Sequence, residues 1–72
     1  MSTPHPTLTL LSDFGLEDHY VGVMHAVLVR DAPGAERFDI GHHIAPGDVW
    51  GASFQLRCSW PHLPDNSVVL AV

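Results

Sequence analysis

Between Thr7 and Tyr20 the chain reads T-L-T-L-L-S-D-F-G-L-E-D-H-Y, an apolar run that breaks abruptly into carboxylates and a glycine. Thr7 to Leu11 carries the β-branched and aliphatic residues of a buried strand. A helical pattern begins at Asp18, so Asp13 falls at the carboxyl end of a strand, where open α/β sheets bind ligands. A carboxylate in that position must be hydrogen-bonded, solvated or engaged by a ligand to offset its desolvation, and packing alone gives no reason for it.

The rest of the chain repeats the alternation. Tyr20, Met24, Val27 and Leu28 fall at helical spacing with Val23 widening the stripe, Asp18 is the expected cap, and Asp31-Ala32-Pro33-Gly34 stops the helix. Arg37 to Ile40 is a second short strand, followed by the loop Gly41-His42-His43-Ile44-Ala45-Pro46-Gly47. Asp48 offers another cap, Val49, Ala52 and Leu56 mark a helical face with Trp50 and Phe54 beside it, and Trp60-Pro61 ends it. Ser67 to Val72 then reads as a third strand. The resulting β-α-β-α-β order, with right-handed crossovers, specifies an α/β class with a parallel sheet, half of a doubly wound fold. Residues 1–6, polar with two prolines, read as a disordered leader, and residues 7–72 as one unit. A last strand that is nearly all apolar and stops without a turn leads to the expectation of an amino-terminal portion of a longer protein.

Composition removes several function classes. With 72 residues, 46% apolar and 15% charged, the chain is globular in character but small enough to need partners for robust stability. Cys58 is its only cysteine, and no basic region precedes a long apolar segment, so the cytoplasm is the expected compartment. No apolar run approaches the roughly 20 residues of a membrane span. Three arginines and no lysine stand against eight acids, a net charge of -5 that repels a phosphate backbone and argues against nucleic acid as a partner.

The first βα connection holds one glycine, Gly15, and no glycine-rich phosphate loop occurs anywhere. Asp13, Glu17 and Asp18 occupy that connection instead. Carboxylates repel phosphates but accept hydrogen bonds from ribose hydroxyls and ammonium groups, so the ligand suggested is a nucleoside or a cation. Glu17 and Asp18 are equally well explained as acids at the positive end of a helix dipole; Asp13, several residues earlier, is better explained by function. Six histidines invite a metal reading, yet the adjacent His42 and His43 point apart and no ligand spacing supplies the remainder, so no metal site is expected. His42 is expected to hydrogen-bond its loop, Cys58 to be a buried structural thiol, and Trp50 and Phe54 to lie in the core.

The segments L-L-S-D-F-G-L-E-D-H-Y-V-G-V-M-H-A-V, F-D-I-G-H-H-I-A-P-G-D-V and L-P-D-N-S-V-V-L-A-V together resemble the amino-terminal part of the S-adenosyl-L-methionine hydrolases, also called S-adenosylmethionine hydroxide adenosyltransferases. This family is related to the bacterial fluorinase and chlorinase. The most specific element is S-D-F-G-x-x-D-x-Y-V-G-x-M. The resemblance implies a Rossmann-like N-terminal domain, of which this chain is part, followed by a β-barrel domain, in a homotrimer with active sites between subunits. It implies attack by water or hydroxide on C5′ of the ribose with expulsion of methionine, without metal or organic cofactor.

By the same resemblance Asp13 accepts hydrogen bonds from the ribose hydroxyls, Asp18 lies near the methionine amino group, and Tyr20 belongs to the same substrate-binding segment. The halogenases' pocket tryptophan is replaced by Gly47, which favours the hydrolase branch, and Gly41 stands where a hydroxyl residue is usual before His42. The nucleophile-orienting aspartate, arginine and histidine are expected beyond Val72, so no catalytic residue is assigned within these 72 residues and the piece alone is expected to be inactive. The alternatives are a non-enzymatic nucleoside-binding or interaction module, which would complete its sheet edge with another chain, and a halogenating relative of the same superfamily.

Overall fold

In a computed structural model that describes residues 5–72, the chain runs β1 (Thr7–Leu11), α1 (Tyr20–Asp31), β2 (Arg37–Gly41), α2 (Val49–Ser59), a 3-10 turn (Trp60–His62) and β3 (Ser67–Ala71). The three strands form one sheet in the order β2-β1-β3, with both pairings parallel. This is the expected α/β layer. Right-handed crossovers in that order send the first connection one way from β1 and the second back across it, placing the helices on opposite faces. Of the expected leader, residues 1–4 lie outside the described residues; His5 and Pro6 have no regular structure, and the His5 carbonyl accepts a hydrogen bond from Asn66 Nδ2 at 2.9 Å.

The central strand is the core. All five residues of β1 are buried, because its edges carry strands and both of its faces are covered. Leu10 is paired with Asp39 on one side and Leu70 on the other. The register with β2 slips after that point, Leu11 facing Gly41, so Ile40 is an extra residue on β2. Such a bulge turns the end of a strand, here the segment that leads into His42. Val21, Ala35 and Ile44 complete the buried apolar set.

The helices depart from expectation in several places. Helix α1 starts at Tyr20 with His19 at the cap position and no side-chain cap bond, so Asp18 is not its cap. Its inward face is Val21 with the half-buried Met24 and Leu28, while Tyr20, Val23 and Val27 are exposed. Asp48 does cap α2, its carboxylate accepting from the Gly51 N–H at 2.8 Å. Trp50 is 87% and Phe54 68% exposed, contrary to the core assignment, since α2 turns this side away from the sheet. Cys58 is also exposed, a surface thiol on the same outward-turned helix and not a buried one. No helix among the described residues is long and apolar enough to cross a membrane.

Candidate functional site

Strand order reverses beside β1, whose pairing with β3 holds in register as far as Leu11 and Ala71 and lies beside the start of α2. A cleft of about 350 Å³ opens there, floored by Leu11 and Ala71 and walled by Ile44 and Val49. Its polar groups are Ser12, Asp13, Asp48 and Ser53. Asp48 is committed to its helix cap. Asp13 is exposed, and no group among the described residues donates a hydrogen bond to its carboxylate. The result is an apolar slot with one free acid at its mouth, at the switch point where this class of sheet places ligands.

Asp13 alone of the three sequence-identified residues lines this cleft. Asp18 is exposed at the far end of the same loop, and the Tyr20 ring packs against Phe14, with centroids 5.6 Å apart, and against His19 at 4.5 Å. Phe14 therefore links the Asp13 turn to the start of α1. Gly15 makes the turn possible, at φ +71°, a left-handed conformation that side chains disfavour.

What the residue pattern did not disclose is a buried hydrogen-bond network behind the cleft. His42 is 2% exposed, with Nδ1 2.5 Å from Ser12 Oγ and Nε2 2.7 Å from Asp39 Oδ1. Asp39 Oδ1 also lies 2.9 Å from His25 Nε2, and the Arg37 Nε–H donates to His25 Nδ1 at 3.1 Å. Burial pushes the Asp39 carboxyl upward, but the hydrogen bonds from His42 and His25, with the attraction of both rings, more than compensate and hold it below the usual carboxylate range. The sole sequence signal was the Asp39 to His42 spacing of three residues; Ser12 is brought to His42 by strand pairing over 30 positions. Among the described residues no group of three or more His, Cys, Asp or Glu is arranged to hold a metal ion.

A parallel layer with a free acid at the carboxyl end of its central strand, facing a cleft at the strand-order reversal, has the layout of the doubly wound α/β class, whose ligands bind at such switch points. Within that class, residues 8–72 match the SAM hydroxide adenosyltransferase N-terminal domain, and the chain belongs to that family.

The chain is 50% identical over 62 residues to an (R)-S-adenosyl-L-methionine hydrolase of Thermus thermophilus, covering 86% of this chain and 24% of that protein. It is 38% identical over 69 residues to the protein of that name from Salinispora tropica, covering 96% and 26%. Among solved structures, a conserved hypothetical protein from Thermus thermophilus superposes with a TM-score of 0.83 at 45% identity, covering 92% of this chain and 28% of the other. An uncharacterised conserved protein from Thermotoga maritima gives 0.87 at 41%, covering 92% and 25%. The chain thus spans about a quarter of the length of the curated relatives it matches.

Proposed function

We propose that this chain is the amino-terminal part of an enzyme that hydrolyses S-adenosyl-L-methionine to adenosine and L-methionine. The observation that carries this reading is the Asp13 carboxylate at the mouth of the cleft, without a protein donor among the described residues and without a phosphate-binding loop beside it. A ribose diol supplies the missing donors, and a sulfonium nucleoside carries no phosphate to be repelled. In this reading Asp18, further along the same loop, meets the amino group of the ligand, and Tyr20 belongs to the same substrate-binding segment. Relatives named for the hydrolysis of S-adenosyl-L-methionine support the substrate class.

In this reading hydroxide, or water that gives up a proton to solvent, attacks C5′ in line with the carbon–sulfur bond, the C5′–O bond forming as the C5′–S bond breaks and neutral methionine thioether departs. The sulfonium is already a good leaving group, so the protein's task is to orient the ribose and exclude stray water, and no metal or organic cofactor is needed. Asp13 fixes the ribose end. The groups that orient the nucleophile belong to the remainder of the full-length protein, a cytoplasmic homotrimer, and the 72 residues alone are inactive. Gly47, lining the cleft at φ +78°, disfavours the bulky side chain of the halogenating relatives at that position.

The test is incubation of the full-length protein with S-adenosyl-L-methionine while adenosine and methionine are followed by chromatography. Stoichiometric release of both, lost in Asp13→Ala, is expected. No adenosine above the uncatalysed rate overturns the reading, and binding without turnover would favour a nucleoside-binding module instead.

A further inference from the structure

We propose that His42 is a positioning residue, locking the Ser12 to Gly15 turn so that the Asp13 carboxylate is held at the cleft mouth. This rests on the assignment of Asp13 to the ribose hydroxyls. The direction of the hydrogen bonds follows from chemistry. An ionised Asp39 only accepts, so His42 Nε2 donates to it; in the tautomer with its proton on Nε2, Nδ1 accepts and the Ser12 hydroxyl donates. That orientation leaves the Ser12 oxygen free to accept the Phe14 N–H, at 3.2 Å.

The main chain repeats the clamp. The Gly15 N–H donates to the His42 carbonyl at 2.6 Å and the Ser12 N–H to the Gly41 carbonyl at 2.9 Å. Asp13 is thus bracketed, its neighbours on both sides fixed to residues 41 and 42, while its own side chain is left unpaired by the described residues. A buried imidazole with both nitrogens engaged cannot rotate without stranding a polar group, so the clamp is stiff. Asp39 orients the ring, and His25 and Arg37 extend the support to α1 and the start of β2. Of the residues in this network only Ser12 lines the cleft, which makes His42 a support for Asp13 and not a catalytic residue.

Ser12→Ala and His42→Gln in the full-length protein remove the contact at Nδ1, while His42→Asn retains an acceptor close to the Nδ1 position. Loosening a ground-state contact raises KM for S-adenosyl-L-methionine by about tenfold, the worth of one hydrogen bond, and leaves kcat within about twofold. His42→Asn restores much of the loss. The discriminating measurement is the preference for S-adenosyl-L-methionine over its 2′-deoxyribose analogue. It falls in Ser12→Ala and His42→Gln as it does in Asp13→Ala, whereas a general structural defect slows both substrates equally.

Amide hydrogen exchange without substrate provides a readout independent of activity: Phe14 and Gly15 exchange faster in Ser12→Ala while the β1 amides stay protected. Unchanged exchange at Phe14 and Gly15 overturns the clamp whatever the enzyme acts on. Wild-type ribose preference in variants whose Asp13→Ala counterpart has lost it overturns the positioning role alone, and an unreactive wild type overturns the hydrolase reading and with it the ribose role assigned to the clamp.

Discussion

Asp39 and His42 are joined by a 2.7 Å hydrogen bond that runs from a fully buried imidazole to a carboxylate at the surface. Burial disfavours the Asp39 anion, but the His42 and His25 donors outweigh it and the folded-state pKa is depressed. A carboxyl whose folded pKa lies below its unfolded value, about 3.9, stabilises the fold above that value and loses the contribution as pH falls through it to the lower folded pKa. The unfolding midpoint in urea of the full-length protein is therefore expected to fall more steeply with acidification below about pH 4 than that of Asp39→Asn. Equal slopes in the two proteins would remove Asp39 from the acid response. Because the carboxylate is partly solvated, added salt should narrow the difference.

Gly15 supplies a second expectation. Its φ of +71° is the left-handed region, and a Cβ built there meets nothing within 4 Å. The cost of Gly15→Ala is thus purely conformational, about 1 kcal/mol, read as a lower denaturation midpoint at unchanged slope. If the turn relaxes instead, stability is retained and KM rises because Asp13 moves; unchanged stability with unchanged KM would show that the turn imposes no backbone requirement.

The fold is legible in the sequence wherever one residue type answers to one environment. T-L-T-L-L carries β-branched and aliphatic residues and no charge, so β1 reads as a buried strand, and its limits and the α/β class agree with the structure. Helix α1 is different. Y-V-G-V-M-H-A-V-L-V is apolar almost all round, so the stripe that periodicity draws through Tyr20, Val23, Met24, Val27 and Leu28 includes the inward Met24 and Leu28 but misses Val21 and takes in three exposed residues, and only the sheet selects the inward set. Trp50 and Phe54 fail for the same reason: helical spacing marks a face but not what covers it. Asp13 is legible because a strand end and a missing phosphate loop are both local features. His42 is not, since its importance comes from Ser12, a partner that only the β1–β2 pairing and its bulge bring within reach.

Leu10 measures how much of the stability resides in that central strand. Its side chain has no exposed surface, and truncation leaves a cavity on the covered face of a strand that pairing on both edges holds in place. Leu10→Ala is expected to cost about 2–5 kcal/mol in guanidinium denaturation of the full-length protein. Val29→Ala, on the exposed side of α1, should stay within about 0.5 kcal/mol. Comparable losses at the two positions would mean that the outer face of α1 is covered in the full-length protein.

Asp48 stands at the cleft and at the start of α2 at once, so its two contributions need separating. Asp48→Ala removes the acceptor of the Gly51 N–H and should destabilise the protein by about 1 kcal/mol. Asp48→Ser restores the cap without the charge, so stability should return while any electrostatic effect on a cationic ligand does not. Gly51 gives an independent check, because a Cβ there runs into the Asp48 carboxylate. Alanine in a helix interior ordinarily gains about 1 kcal/mol over glycine, but here it displaces the cap. Gly51→Ala should therefore leave the denaturation midpoint nearly unchanged in the wild-type background and raise it in Asp48→Ala, where no cap remains to be lost. A gain of equal size in both backgrounds would show that the Asp48 cap contributes nothing to the stability of α2.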